Sequence, residues 1–553
     1  MDLVIAAAGE AVEVVAVEQG APGQRTRVLL ADLPAWVAAQ PVSTRWVWAD
    51  SAALYPTLLR AGVRVRRAVD LRLVRTLLRR ADAVRHTDYA RAVPSSWDAP
   101  PPGPDVAGHP DQGERLFDLT VHRFGIDECV VEHLAQQRCL AQTDDDGRLA
   151  LLCHAESVGG LVAQELNSAG VPFSVEVHDA QLTELLGTRD SYGGRPAVMA
   201  QLCGEVQAAL GAPRLNPDSP VDLVGALRRA GLDVSSTRQG ELEQLDHPVI
   251  EPLLRYKKLS RLHTANGWAW SQAWVRDGRF RPDWVAGAVV TGRWASRGGG
   301  ALQLPRQIRA AVRADPGWRL VVADAAQLEP RVLAAMSGDR RMAAAAAGAD
   351  LYQALVDQGV VPSRQHAKIA MLGAMYGATT GEAGALMPQL QRAYPRAIDL
   401  VESAARAGER GERVRTWLGR TSPLPPSSWR EAQDAAQRPG SGPGAEKRAR
   451  QVARDWGRFT RNFVVQGTAA EWALCWMGHL RRLLDDEPMA GAHPELVYFL
   501  HDEVIVHAPA AVADAVADAV REAARAAGQL LFGTFPVEFP LSVAVVDSYD
   551  QAR

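Results

Sequence analysis

Along the first ninety or so residues, short runs with apolar side chains at near-alternate positions (VEVVAVE at 12–18, TRVLLADL at 26–33, TRWVWAD at 44–50) are separated by stretches with helical spacing. This alternation predicts a small α/β unit. Residues 93–113 are rich in Pro and Gly and read as loop or linker. From about 114 to 260 the helical rhythm dominates, as in VGGLVAQELNSAG (158–170) and PVDLVGALRRAGL (220–232), each closing on or near a Gly. Residues 265–325 read as strands and turns ending in the apolar run WRLVVA. Helices return from 327 to about 480, interrupted by a Pro/Gly/Ser-rich segment at 421–445. Near the end, LVYFL and VIVHA flank His501-Asp502-Glu503, which predicts two strands joined by a tight turn. There is no internal repeat.

A chain of 553 residues suits about two to four domains. Its 47% hydrophobic and 23% charged residues are those of a soluble globular protein. The five cysteines lack the short pairing that a zinc site uses, and they read as reduced thiols. The N-terminus has no basic leader and no apolar run spans a bilayer, so the expected address is the cytoplasm, near the nucleoid, with no membrane partner. An Ala- and Arg-heavy composition is what a GC-rich bacterial genome encodes. The net charge of −3 hides a partition. Residues 251–320 hold 13 Lys/Arg against 4 Asp/Glu, and residues 406–461 hold 13 against 6, which leaves −19 on the rest. Two basic segments on an acidic body suggest one surface that meets phosphates.

Four segments carry chemistry. In DAAQLEPR (324–331), Asp324 ends a buried strand and a helix follows at once, so a carboxylate sits at the rim of a sheet. Taken alone it reads as a helix N-cap. Two acids, Asp502 and Glu503, share the predicted hairpin turn, where acids are common. Arg364, Lys368, Leu372 and Tyr376 recur every fourth residue on a helix starting near Pro362-Ser363 and closing on Gly377. That face suits a nucleotide, with the triphosphate against the two cations and the sugar and base toward Tyr376. Arg458, Asn462 and Gln466 repeat the spacing with polar groups able to touch a nucleic-acid backbone.

This ordered set resembles the family A DNA polymerases, the bacterial DNA polymerase I type. DAAQLEPR and YFLHDEVIV (498–506) are similar to that family's two palm motifs, and RQHAKIAMLGAMYG (364–377) to its fingers helix. TGRWASRGGGALQLPRQIR (291–309) resembles the segment before the first motif, and RNFVVQGTAAE (461–471) the helix that contacts primer-template. STRQ (236–239) and YKKLSRL (256–262) resemble thumb landmarks. The resemblance covers about residue 148 to the C-terminus and implies an α+β, multi-domain right hand. Its antiparallel palm sheet would fall at about 265–345 and 456–553, its helical thumb at about 176–264 and its helical fingers at about 346–455. A small RNase H-like, exonuclease-type α/β domain (1–147) would precede it.

The resemblance further implies a monomer that binds primer-template DNA and dNTPs and uses two Mg²⁺ ions, with Mn²⁺ as the alternative. Asp324, Asp502 and the Ala325 carbonyl would hold the ions, with Glu503 and Lys368 as further catalytic groups. Gln327 and Tyr352 would join Arg364, Lys368, Leu372 and Tyr376 around the nucleotide, and Glu329 would pair with Tyr376 to wall off the sugar 2′ position. Arg293, Thr291, Gln303, Arg458, Asn462, Gln466 and His501 would face DNA.

Leu372 replaces the family's usual aromatic, Ala325 a bulkier residue, and Tyr352 a common His. Residues 1–200 contain neither the Asp-x-Glu nor the Tyr-x3-Asp of a working proofreading site, leaving only Asp50 and Asp70 as candidate remnants, so this domain is expected to be inactive. Two other readings, a non-catalytic DNA-binding paralogue and a bifunctional polymerase/3′–5′ exonuclease, are set against the retention of both aspartates and the loss of the proofreading motifs.

Overall fold

In the computed structural model, residues 1–99, 124–190, 193–300, 304–348, 350–377, 381–486 and 493–552 are described. Gln303 and most of the Pro/Gly-rich loop lie outside them.

The N-terminal unit is a five-stranded mixed sheet. Three antiparallel strands (Asp2–Ala8, Ala11–Glu18 and Ala21–Leu29) are extended by two parallel ones, Arg45–Trp48 beside Asp2–Ala8 and then Arg67–Asp70. Parallel pairing requires crossovers, and the helix Ser51–Arg60 supplies the one between the last two strands. Asp50 and Asp70 both stand at helix starts. Asp50 accepts the Ala52 N–H at 2.8 Å, and Asp70 accepts the Leu73 N–H at 3.0 Å. Asp70 is buried and also accepts the Ser51 N–H and hydroxyl at 2.7 and 2.8 Å. Burial, with the Asp50 charge, pushes its pKa up to about 7.

The helix Arg148–Ala169 is sandwiched between this unit and the rest of the chain. Gly159 and Gly160 in its middle cost about 1 kcal/mol each relative to Ala in helix propensity, and close packing explains them. A Cβ at Gly159 would lie 2.7 Å from Leu474 Cδ2, and one at Gly160 3.0 Å from Ser51 Oγ.

The second sheet is four-stranded and antiparallel, in the order Glu495–Leu500, Glu503–Pro509, Trp318–Ala325, Leu541–Val546. The helix Ala513–Phe532 packs on it, and the 44-residue helix Pro443–Asp486 packs against that helix. At 1.5 Å per residue the latter spans about 66 Å and reaches the helices Arg364–Tyr376 and Pro395–Glu409. Arg461 ties it to both, donating to the Ala374 carbonyl at 2.9 Å and to Glu402 at 2.6 Å. The helices Ala197–Ala209, Pro220–Arg229 and Ile250–Asn266 close around a small separate core that includes Val206, Leu223, Leu227, Val249 and Leu253.

Two segments depart from the sequence reading. WAWSQAW, expected among strands, is the helix Trp268–Trp274: its alternate tryptophans mimic a strand, but Trp270 packs with Phe173, His178 and Phe280 in an aromatic cluster. The 421–445 interruption contains the helix Ser427–Gln437, whose Ala- and Gln-rich sequence favours helix once Pro426 has ended the turn before it. All five cysteines are free and buried.

Candidate active site

Register brings the two aspartates together. Asp324 faces Glu503 across the sheet, one residue past the turn that carries Asp502, and the Ala325 N–H donates to the Asp502 carbonyl at 2.8 Å. Five non-glycine residues among those described have positive φ, and two of them border these acids: His501 (φ 56°) and Gln327 (φ 53°). His501 is the first residue of a two-residue hairpin turn, a place usually given to glycine. A strained, non-glycine turn fixes where Asp502 points.

Burial, reinforced by the Asp324 charge, pushes the Asp502 pKa up to about 7. Like charges pinned at this spacing form an acidic point that a cation would relieve. Among the described residues, no group of three or more His, Cys, Asp and Glu gathers as a closed metal cage. Two carboxylates with room for water and substrate oxygens is the donor set that suits Mg²⁺, which keeps several waters and binds through few protein ligands. Glu503 is tied differently, accepting the Tyr549 hydroxyl at 2.8 Å. Burial, with the Arg293 charge, lowers the His501 pKa to about 4, so this ring is neutral at pH 7.

Asp502 and His501 border a cavity of about 270 Å³. Its far wall is the helix Arg364–Tyr376, which begins at Ser363, whose hydroxyl accepts the His366 N–H, and ends at Gly377 in the left-handed region (φ 73°). Arg364, Lys368, Leu372 and Tyr376 form its exposed face. Leu372 is 37% and Tyr376 39% exposed, values that leave room for a ligand against them. Trp294 and Phe499 floor the cavity, ring edge to ring face, with centroids 5.0 Å apart.

Glu329 accepts the Tyr376 hydroxyl at 3.0 and 3.2 Å and is ion-paired to Arg293. Arg293 thus meets an internal partner beside the cavity. Gln327 lines the cavity, but its amide is engaged at both ends, donating to Asp350 at 2.9 Å and accepting the Leu351 N–H at 2.8 Å. Tyr352 is buried under Arg364, whose Cζ lies 5.7 Å from the ring centre.

On the long helix, Arg458 is exposed, paired with Asp455, and its stem lies over Gly377. Asn462 and Gln466 are half-buried. Thr291, another expected DNA contact, is 4% exposed, its carbonyl lies close to Gly467, and its hydroxyl has no hydrogen-bond partner among the described residues. Arg331, the last residue of DAAQLEPR, is wholly buried and donates to the carbonyls of Ala326, Gly348 and Glu538, at 2.8, 2.8 and 3.2 Å, and to that of Ala346. It fastens the turn after Asp324.

A sequence profile for DNA polymerase family A matches residues 197–551. The chain belongs to that family. Relatives include DNA polymerase I of Chloroflexus aurantiacus, 28% identical over 323 residues, which are 54% of this chain and 32% of that protein. The thermostable DNA polymerase I of Thermus filiformis is 30% identical over 344 residues, 56% of this chain and 37% of its own. That of Thermus aquaticus is 26% identical over 349 residues, 58% and 38%. The matches thus span about a third of these relatives' length.

The solved polymerase domain of Pol1 from M. smegmatis, in complex with DNA primer-template and dNTP, superposes with a TM-score of 0.71 at 19% identity over 100% of this chain and 95% of that one. The family A chain therefore has the right-hand polymerase fold. In that fold the four-stranded antiparallel sheet corresponds to the palm. Sequence reasoning missed Asp350, which bonds both Gln327 and Arg364. An Asp before a helix reads as a cap, and nothing in the pattern separates this one from any other.

Proposed function

We propose that this chain is a DNA-directed DNA polymerase that adds dNTPs to a primer 3′-hydroxyl, serving replication or repair. The observation that carries the reading is the cavity with Asp502 on one wall, beside Asp324, and Leu372, Met375 and Tyr376 on another, on a helix whose exposed face continues through Lys368 to Arg364. The basic segments flanking the site supply sequence-independent attraction for the DNA backbone.

Asp324 and Asp502, with the Ala325 carbonyl, are the residues that would hold two Mg²⁺ ions. When bound, such ions activate a hydroxyl nucleophile and neutralise charge on the leaving phosphate. The chain's own groups do the remaining work. Arg364 and Lys368 orient the triphosphate, and Lys368 would hand a proton to the leaving group. The Glu329–Tyr376 pair fills the space a ribose 2′-hydroxyl would need and so favours deoxynucleotides. Leu372 offers an aliphatic surface in place of a flat ring. Arg458, Asn462 and Gln466 meet the primer-template. In the N-terminal unit, Asp50 and Asp70 serve as helix caps, and the reading assigns that unit a structural role without proofreading.

Primer extension with Mg²⁺ and four dNTPs tests the proposal, comparing the wild type with Asp324→Asn. Extension by the wild type and a loss of at least about 10³-fold in the variant is expected, the scale on which removing a transition-state charge contact lowers rate. A wild type that binds primer-template without extending it would support a non-catalytic paralogue instead. Metal-dependent shortening of a 3′-labelled strand by Asp324→Asn would restore the bifunctional reading.

A further inference from the structure

Arg364 does not hang free at the start of its helix. Asp350 divides its two carboxylate oxygens between two tasks. Oδ1 accepts the Tyr352 and Gln353 N–H groups at 3.0 and 3.3 Å, capping the helix Leu351–Asp357, and also accepts Gln327 Nε2 at 2.9 Å. Oδ2 is left for Arg364, whose Nε donates to it at 2.6 Å. A cap needs only the first oxygen.

The atom of Arg364 that is held matters. A guanidinium gripped at Nε keeps both terminal NH₂ groups for a ligand, and these are the pair that meet phosphate oxygens side by side. Tyr352 supports the planar group from beneath, and the Arg364 side chain is still 56% exposed, so its outer edge faces solvent. Gln327 braces Asp350 from the palm side, with its own carbonyl on the Leu351 N–H. Gln327 follows Asp324 by three residues, in a backbone conformation (φ 53°) that L side chains rarely adopt. The brace therefore joins the strand end that carries the palm carboxylate to the cation of the fingers. Burial alone would raise the Asp350 pKa, but the bonds from Arg364, Gln353 and Gln327 keep it below the ordinary carboxylate value, so the holding group is charged at neutral pH.

We propose that Asp350 is a positioning residue for nucleotide binding: it grips Arg364 by Nε and presents the terminal guanidinium nitrogens to the triphosphate of an incoming nucleotide. The inference rests on the polymerase reading above and adds to it the residue that aims the phosphate-binding cation. The opposite role would be a competitor that occupies Arg364 until phosphate displaces it, and the two roles move KM in opposite directions.

The test is single-nucleotide incorporation on a primer-template by the full chain, comparing wild type, Asp350→Ser, Asp350→Asn, Arg364→Ala and the Asp350→Ser/Arg364→Ala double variant. Ser keeps a capping oxygen but is too short to reach Arg364. It should raise the KM for dNTP about tenfold, the effect of one lost charge-assisted hydrogen bond at a substrate-binding group, while kcat, primer-template affinity and Tm stay near wild type. Asn, which keeps the reach without the charge, should fall between, and the double variant should bind dNTP no worse than Arg364→Ala alone. An unchanged or lowered KM in both Asp350 variants, effects that add in the double variant, or an Arg364→Ala variant with normal KM would each overturn the proposal. Wild-type extension accompanying any of those results leaves the polymerase reading standing, whereas no wild-type extension would sink both. If the Ser variant melts early, the Asn variant carries the comparison.

Discussion

Replacing Glu165 with Gln should loosen the N-terminal unit from the palm without touching the catalytic cavity. Glu165 lies on the helix Arg148–Ala169 and accepts Arg481 Nε at 2.9 Å to each oxygen and Arg481 Nη2 at 2.7 Å. It also accepts the Tyr55 hydroxyl of the N-terminal unit at 2.5 Å. Arg481, from the long palm helix, further donates to the Val65 and Arg66 carbonyls. Both charged side chains are nearly sealed, at 6% and 7% exposure. A buried pair of this kind adds little over an apolar replacement, but breaking one side strands the other charge and costs about 3–5 kcal/mol. Over a cooperative unit of a few hundred residues this lowers Tm by roughly 10 °C.

The pH dependence of this pair has a definite sign. Burial alone would raise the Glu165 pKa, but the Arg481 charge and hydrogen bonds outweigh it and hold the value below the ordinary one. The pair's contribution is therefore complete above the unfolded value near about 4.3 and is lost only as pH falls through the folded value. Denaturation at pH 7 sees the full penalty. The assay is guanidinium and thermal unfolding of wild type, Glu165→Gln, and Glu165→Met/Arg481→Met, with primer extension at low temperature as a control for the site. The double variant should recover most of the loss. A Glu165→Gln variant within about 1 kcal/mol of wild type, or a double variant worse than the single, would refute the argument.

Two further outcomes follow from the same physics. Glu329→Ala removes the acceptor of Tyr376 and the partner of Arg293; the ratio of ribonucleotide to deoxynucleotide incorporation should rise by about 10²-fold or more, the scale of losing roughly two charge-assisted contacts, and an unchanged ratio would remove Glu329 from the sugar wall. Burial pushes the Glu471 pKa up to about 7 against hydrogen bonds from the Thr416 hydroxyl and the Leu418 N–H. The native state therefore keeps a proton that the unfolded chain releases, so stability falls as pH rises from about 4.3 to 7, by roughly 4 kcal/mol at most; Glu471→Gln should flatten that slope in unfolding titrations, and an equal slope in both proteins would contradict the assignment.

The sequence was most legible where chemistry sits at short spacing. Arg364, Lys368, Leu372 and Tyr376 share one exposed face because four residues is about one helical turn, and the fold had little freedom to place them elsewhere. The turn at Asp502 was legible because two apolar runs flank it. From the sequence Asp50 and Asp70 are candidate remnants of a site, with ordinary surface or turn acids the favoured reading, and only their donors reveal the caps. Long-range pairs were not legible at all. Arg420 meets Glu156 across 264 positions and Arg481 meets Glu165 across 316. Each residue alone looks like one more charge on a helix, and burial is set by packing that no local pattern encodes. Nor was the burial of Thr291 legible: a polar residue within a motif gives no local sign that packing beside Gly467 encloses it.

The charges around the cavity are arranged unequally, and the inequality bears on mechanism. Each arginine expected to meet substrate already has an internal carboxylate, Arg293 on Glu329 and Arg364 on Asp350. These pairs fix the cations in place before anything binds, so little reorganisation is required on arrival. The palm acids are treated the other way. Strand register sets Asp324 beside the Asp502 turn, two rare backbone conformations stiffen the approach, and their mutual repulsion adds to burial in raising the Asp502 pKa to about 7. Holding two buried carboxylates near each other is costly. On the proposed reading that cost is useful, because whatever brings positive charge between the two carboxylates recovers it as binding energy. On that reading paired charges preorganise the Arg364 side and repulsion between like charges marks the palm side, a division under which divalent cations should stabilise the palm while nucleotide alone, lacking them, should not.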